Sequence, residues 1–138
     1  MKRFLCVLGL AAVLGGCGDS GEKYVRSVLM EAEQGDAEAQ YQLGEWFLLG
    51  EGFAQDFEEA FKWYRKAAEQ GSMAGQESLG ICYMFGTGVT KDLEESIKWL
   101  RKADEQGSEN TERLIGIAKM LSEGDLLMEQ VKQQGLID

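Results

Sequence analysis

Residues 36–71 read DAEAQYQLGEWFLLGEGFAQDFEEAFKWYRKAAEQG, and residues 72–107 read SMAGQESLGICYMFGTGVTKDLEESIKWLRKADEQG. The two stretches align without a gap and share 16 of 36 positions. Gly35, Gly71 and Gly107 each close the phrase Glu-Gln-Gly, so the period is 36 residues. A period of that length marks a solenoid, in which each repeat is one supersecondary unit that buries its apolar face only against its neighbours. Such an architecture presents a surface and does not enclose a reaction.

Each unit spells helix, turn, helix. Ala39, Leu43, Gly44 and Phe47 recur at helical spacing and return as Gly75, Leu79, Gly80 and Tyr83. A glycine inside a helix costs about 1 kcal/mol against alanine, so a repeated one implies close approach of a neighbouring helix. Gly50-x-Gly52 and Gly86-x-Gly88 then break the first helix. Asp56 to Glu59 and Asp92 to Glu95 have the form of capping boxes opening the second helix. In that helix Ala60, Trp63 and Ala67 return as Ser96, Trp99 and Ala103, an inward stripe. Gly71 and Gly107 fall where its C-terminus is capped, with Ser72 and Ser108 as N-caps of the next unit. The pattern predicts an all-α solenoid of antiparallel helix-turn-helix repeats with about seven helices.

These residues also carry a resemblance. Ala39, Leu43, Gly44, Phe47, Gly50, Gly52, Asp56, Ala60, Trp63, Tyr64, Lys66, Ala67, Ala68 and Gly71 stand as in the Sel-one-like repeat (SLR) family, which is tetratricopeptide-like. The second unit departs at Gly75, Ser96, Leu100 and Asp104. The full repeats are 36–71 and 72–107, within a repeat domain over 27–138. Upstream, Val28, Ala32 and Gly35 match only a second helix. Downstream, Thr111, Ile115, Gly116 and Gly124 keep the first-helix register, and the unit is then eight residues short, so Gly124 is expected to lead straight into a final helix ending near Gly135. Atypical terminal units are expected of such arrays.

The N-terminus reads differently. Met1-Lys2-Arg3 is basic, Phe4 to Leu14 is almost wholly apolar, and small residues precede Cys17, the layout of a signal peptide over 1–16. The run is too short for a transmembrane helix. Leu14-Gly15-Gly16-Cys17 resembles a bacterial lipobox, which implies lipidation at Cys17, with 17–26 as anchor and tether. An anchor of several acyl chains holds a protein stably at a bilayer, where one chain does not. Gly18, not aspartate, follows the cysteine. By resemblance to enteric lipoproteins that implies the outer membrane and not the inner one, facing the periplasm.

Loss of Lys2 and Arg3 with the signal peptide takes the formal charge from −10 to −12. A field of that sign disfavours nucleic acid and suits a basic partner, or serves solubility. There is no histidine, which removes imidazole acid–base chemistry, histidine-based nucleophilic triads and histidine-containing zinc sites. Cys82 lies in the apolar run Ile81 to Phe85, and with Cys6 removed and Cys17 lipidated it has no intramolecular mate. The acidic pairs Glu58-Glu59 and Glu94-Glu95 read as caps and solvated faces, without the glycine-centred loop of a calcium site. We therefore expect no enzyme, cofactor or metal.

Resemblance to tetratricopeptide arrays implies that the first helices line the concave side. There, rows of equivalent residues lie outside the repeat motif: Tyr41, Glu77 and Arg113; Glu45, Ile81 and Ile117; Leu48, Met84 and Met120; Leu49, Phe85 and Leu121. The last two rows are apolar in every unit. They fit a partner-binding groove, or they pack against neighbouring helices. The expected function is a lipid-anchored protein-binding module, an adaptor or scaffold for another envelope protein. One alternative is an immunity protein that neutralises a secreted toxin or lipase. Another is a cell-wall hydrolase, which needs a carboxylate pair in a cleft. Cys17→Ser is expected to abolish palmitate incorporation and to release the protein from membranes. A serine variant that stays membrane-bound overturns the lipoprotein reading.

Overall fold

The computed structural model describes residues 20–135. The expected signal peptide and Cys17 lie outside the described residues. Six helices follow one another: α1 (Ser20–Glu33), α2 (Ala37–Leu49), α3 (Phe57–Glu69), α4 (Met73–Phe85), α5 (Leu93–Glu105) and α6 (Thr111–Gln133). Residues 20–26, read as tether from the sequence, form the first turns of α1. Each helix packs on the next in the chain, and α2 also touches α4, as α4 touches α6. The second helices α3 and α5 share no such contact. The array therefore curves, with α2, α4 and α6 on the inner side and α1, α3 and α5 on the outer.

Local signals set the helix ends. Asp36, Asp56, Ser72 and Asp92 are extended residues whose side-chain oxygens accept from Ala39 N (2.8 Å), Glu59 N (3.0 Å), Gly75 N (3.1 Å) and Glu95 N (3.0 Å). Only half of each expected capping box forms. The amides of Asp56 and Asp92 donate instead to the carbonyls of Phe47 and Tyr83, both at 2.9 Å. That ties the start of each second helix to the end of its first. The glutamates freed by this exchange pair with Lys62 and Lys98 on the surface. At the other end Gly71 takes φ 90°, a left-handed conformation. Its amide reaches Ala68 O at 3.0 Å and that of Ser72 reaches Ala67 O at 3.0 Å, closing α3.

Two expectations fail at the third unit. Ser108 does not cap α6: its hydroxyl donates to Glu77 Oε2 at 2.9 Å, and the helix begins only at Thr111. Nor does Gly124 break the chain, so one continuous α6 replaces the two helices expected there. In the regular units, left-handed glycines at 50 and 86 are followed two places later by a second one, at 52 and 88. Gly124 has no such partner and no loop residues to fold. A lone helical glycine costs only about 1 kcal/mol, too little to end the helix. An ion pair from Lys91 Nζ to Asp125 Oδ2 (2.8 Å) also fastens α6 to the loop before α5.

The core is a series of seams. Val28, Ala32, Ala39 and Leu43 fill the first, while Ala60, Tyr64, Ala68, Leu79 and Cys82 fill the second. Met84, Leu100 and Ala118 fill the third. Within units, the repeated glycine does what its spacing predicts. A Cβ on Gly44 would lie 2.5 Å from the Tyr64 ring, and one on Gly80 would lie 2.7 Å from Leu100 Cγ. Ala60, Ala67, Ser96 and Ala103 are fully buried as the inward stripe requires. Trp63 and Trp99 are only half-buried, and Lys66 and Lys102 cover their rings at 3.8 and 3.9 Å.

Gly44→Ala is expected to destabilise the fold by about 1–3 kcal/mol, since the Tyr64 ring has to move. Gly116, the equivalent in α6, has open space around it, so Gly116→Ala is expected to stabilise by about 1 kcal/mol. Urea titration of the two variants distinguishes these signs. Burial, with a smaller contribution from Glu45, pushes the Cys82 thiol up to about 11. The folded thiol thus stays neutral after the unfolded one has begun to ionise. The stability it contributes below its ordinary pKa of 9.0 is lost as pH rises to about 11. With Cys6 and Cys17 replaced by serine, Ellman's reagent at pH 8 is expected to label the folded protein far more slowly than the urea-unfolded chain.

Candidate functional site

The inner face takes its side chains from α2, α4 and α6 at positions that the seams do not use. Between α4 and α6 it opens into a cleft of about 250 Å³ lined by Glu77, Ile81, Asn110, Arg113, Leu114 and Ile117. Four of these, Glu77, Ile81, Arg113 and Ile117, are residues that the repeat comparison places on the inner rows. The structure brings them together from two different units. The fit of α6 against α4 puts one carboxylate, one guanidinium and branched apolar side chains around a single opening. Asn110 and Leu114 were not legible. Asn110 precedes the helix, and Leu114 is equivalent to the polar Gln42 and Ser78, so no repeated pattern marks it.

Towards α2 the face becomes polar and tightly bonded. Tyr64, buried in the second seam, donates its hydroxyl to Glu45 Oε1 at 2.5 Å. Burial and this carboxylate push the phenol far above its ordinary range, so it remains a donor at every ordinary pH. Tyr41 is half-buried beside it, with ring centroids 5.9 Å apart. Burial, then the charges of Glu45, Glu38 and Glu77, raise the Tyr41 pKa, while a hydrogen bond with Ser78 lowers it. The three carboxylates thus act together on one hydroxyl. Glu77 is held by the Ser108 hydroxyl at 2.9 Å.

The apolar rows divide. Leu49 and Phe85 end their helices exposed, at 57% and 63%. Leu48 is half-buried against the second seam. Met84 is not a groove residue: at 1% exposure it sits with Leu100 and Ala118 in the third seam, because α5 and α6 close over it. Its equivalent Met120 is 71% exposed, since no second helix follows α6 among the described residues to cover it. Leu121 packs half-buried on the third seam. The acidic pairs at the starts of α3 and α5 stand on the outer helices, away from the cleft. Among the described residues no group of carboxylates and cysteines is placed to hold a metal.

Comparison with known proteins matches the geometry. The Sel1 repeat model matches residues 37–72 and 74–108. A protective antigen present in uropathogenic Escherichia coli strains, displaying an SLR fold, is 43% identical over 66% of this chain and 20% of its own, with a TM-score of 0.64. A Sel1 repeat protein from Oxalobacter formigenes is 34% identical over 64% of this chain and 26% of its own, with a TM-score of 0.63. This chain thus spans about a fifth and a quarter of those two proteins. Cysteine rich protein B of Helicobacter pylori shares the fold at 23% identity, with 77% and 80% of the two chains covered and a TM-score of 0.66. No curated protein matches. With two contiguous repeat matches spanning the regular units α2 to α5, the chain belongs to the Sel1 repeat family.

Proposed function

We propose that this protein is a non-catalytic adaptor or scaffold that binds another protein of the bacterial cell envelope on its inner face. On this reading Cys17 carries the lipid that holds it at the membrane, on the periplasmic side and at the outer membrane. Sel1 repeat proteins are generally protein-interaction modules, which gives the coarse function. The observation that carries the finer reading is the cleft between α4 and α6. It joins Glu77 and Ile81 of one unit to Arg113 and Ile117 of the next, at positions the repeat motif leaves free. Exposed Leu49, Phe85 and Met120 extend apolar surface along the same three helices. Membrane attachment suits a holding role, since a tethered module meets its partner at high effective concentration.

Crosslinking and affinity purification from membranes, with the full lipidated chain as bait, tests this. Ile81→Glu combined with Ile117→Glu is expected to abolish capture of the partner while the melting temperature stays within a few degrees, because neither side chain is fully buried. Met84→Glu serves as the contrast and is expected to unfold the third seam. Undiminished capture by the folded double variant overturns the inner-face reading. A secreted toxin or lipase as the captured protein, with its activity blocked by binding, replaces the scaffold role with immunity.

A further inference from the structure

Cations are unevenly placed on the regular helices of this array, α2 to α5. The outer helices α3 and α5 each carry three cations: Lys62, Arg65 and Lys66, then Lys98, Arg101 and Lys102. The inner helices α2 and α4 contain no lysine or arginine, and their only charged residues are Glu38, Glu45 and Glu77. Two of these carboxylates are held in place by the fold. Glu45 is fixed by the buried Tyr64 hydroxyl at 2.5 Å and Glu77 by the Ser108 hydroxyl at 2.9 Å. An ionised carboxylate has about four acceptor sites, so each bond leaves room for an external donor. Glu77 also forms part of the cleft wall, where Ile81, Leu114 and Ile117 supply an apolar lining. Fixed negative charge thus stands directly beside an apolar opening, and on its α2 and α4 side no lysine or arginine offsets it.

We infer that the cleft between α4 and α6 receives an aliphatic side chain from a basic segment of the partner protein. Lysine or arginine residues flanking that side chain lie against Glu77, Glu45 and Glu38. The inference rests on the inner-face reading above and names the chemistry of its partner. An acidic segment is excluded from most of the face by three carboxylates with no compensating cation on α2 or α4. A purely polar basic segment leaves the apolar lining wet. Arg113, on the α6 wall, makes no ion pair among the described residues. It therefore limits the acidic row at that side, so the basic residues lie on the α2 side of the inserted chain.

Three short fluorescent peptides, of alternating Lys/Ile, Glu/Ile and Lys/Ser, are titrated by anisotropy into the full chain in neutral detergent micelles. The Lys/Ile peptide is expected to bind saturably, about tenfold more tightly than either of the others, and to weaken about threefold or more as salt is raised. Glu38→Gln with Glu77→Gln is expected to reduce that preference. Glu58→Gln, which removes a charge from an outer helix, is expected to leave it unchanged. Ile81→Ser with Ile117→Ser separates the cleft from the general acidity of the chain, because it lowers binding without altering charge. Equal binding of Glu/Ile or Lys/Ser, or no saturable binding of Lys/Ile, overturns the inference. So does an equal effect of Glu58→Gln. If partner capture still depends on Ile81 and Ile117 in that event, the inner-face function stands and only the charge assignment falls.

Discussion

Everything in this array depends on how closely the two helices of a unit approach, and that approach is made at one glycine. Gly44 receives the ring of Tyr64, and Gly80 receives Leu100. A large side chain thus enters a gap that no other residue leaves open. Where the second unit meets the first, a close approach is made instead by small residues on both sides. A Cβ on Gly75 would lie 2.8 Å from Ala67 Cβ. That contact draws the inner helix α4 against the outer helix α3 of the unit before it. Hydrogen bonds then lock one unit to the next. Gln40 Nε2 donates to Ala32 O at 3.0 Å, and Gln76 Nε2 to Ala68 O at 3.3 Å. Within the second unit, Gln106 Nε2 donates to Gln76 Oε1 at 2.7 Å, a bond across thirty residues.

The repeat made most of this fold legible, because glycine, aspartate and the aromatic residues each have a local physical meaning that does not depend on distant neighbours. What stayed hidden depends on neighbours. Leu48, Met84 and Met120 occupy one repeat position and have similar chemistry, yet they are half-buried, buried and exposed in turn. The difference lies in what covers them. Met84 is enclosed by α5 and α6, while among the described residues Met120 has no second helix over it. A spacing argument assigns all three to one row and cannot see that. The glutamine locks escaped for a related reason. Polar residues at helical spacing read as solvated, and only the packed array shows that Gln40 and Gln76 are buried between helices.

The same reasoning separates the parts of the candidate site. Its second- and third-unit members follow from the repeat register, since Glu77, Ile81, Arg113 and Ile117 are equivalent in pairs. The volume between them does not, because it arises from the late start of α6. That helix begins at Thr111 and not two residues earlier, with Ser108 drawn to Glu77 and Thr111 Oγ1 lying 2.9 Å from both Asp104 Oδ1 and the Ser108 carbonyl. Asn110 is thereby left at the cleft wall and not inside a helical turn. An irregular join between two units thus opens a cleft on the inner face that can hold a side chain.

Where charge sits follows from what each layer must do. The outer helices α3 and α5 are amphipathic, with alanine and tryptophan towards the seams and with cations and carboxylates sharing the surface. Lys66 over Trp63 and Lys102 over Trp99 give cations a structural use there. The inner helices α2 and α4 have aromatic residues of their own, but no lysine or arginine to lie over them. Placing Ile81 and Ile117 on that inner face adds little to folding, since burying an aliphatic side chain contributes about 1.5–3 kcal/mol only when the burial is complete. Neither is completely buried. Side chains that gain little from the fold, set beside carboxylates that the fold has fixed in place, are those whose remaining apolar surface is available to a second protein.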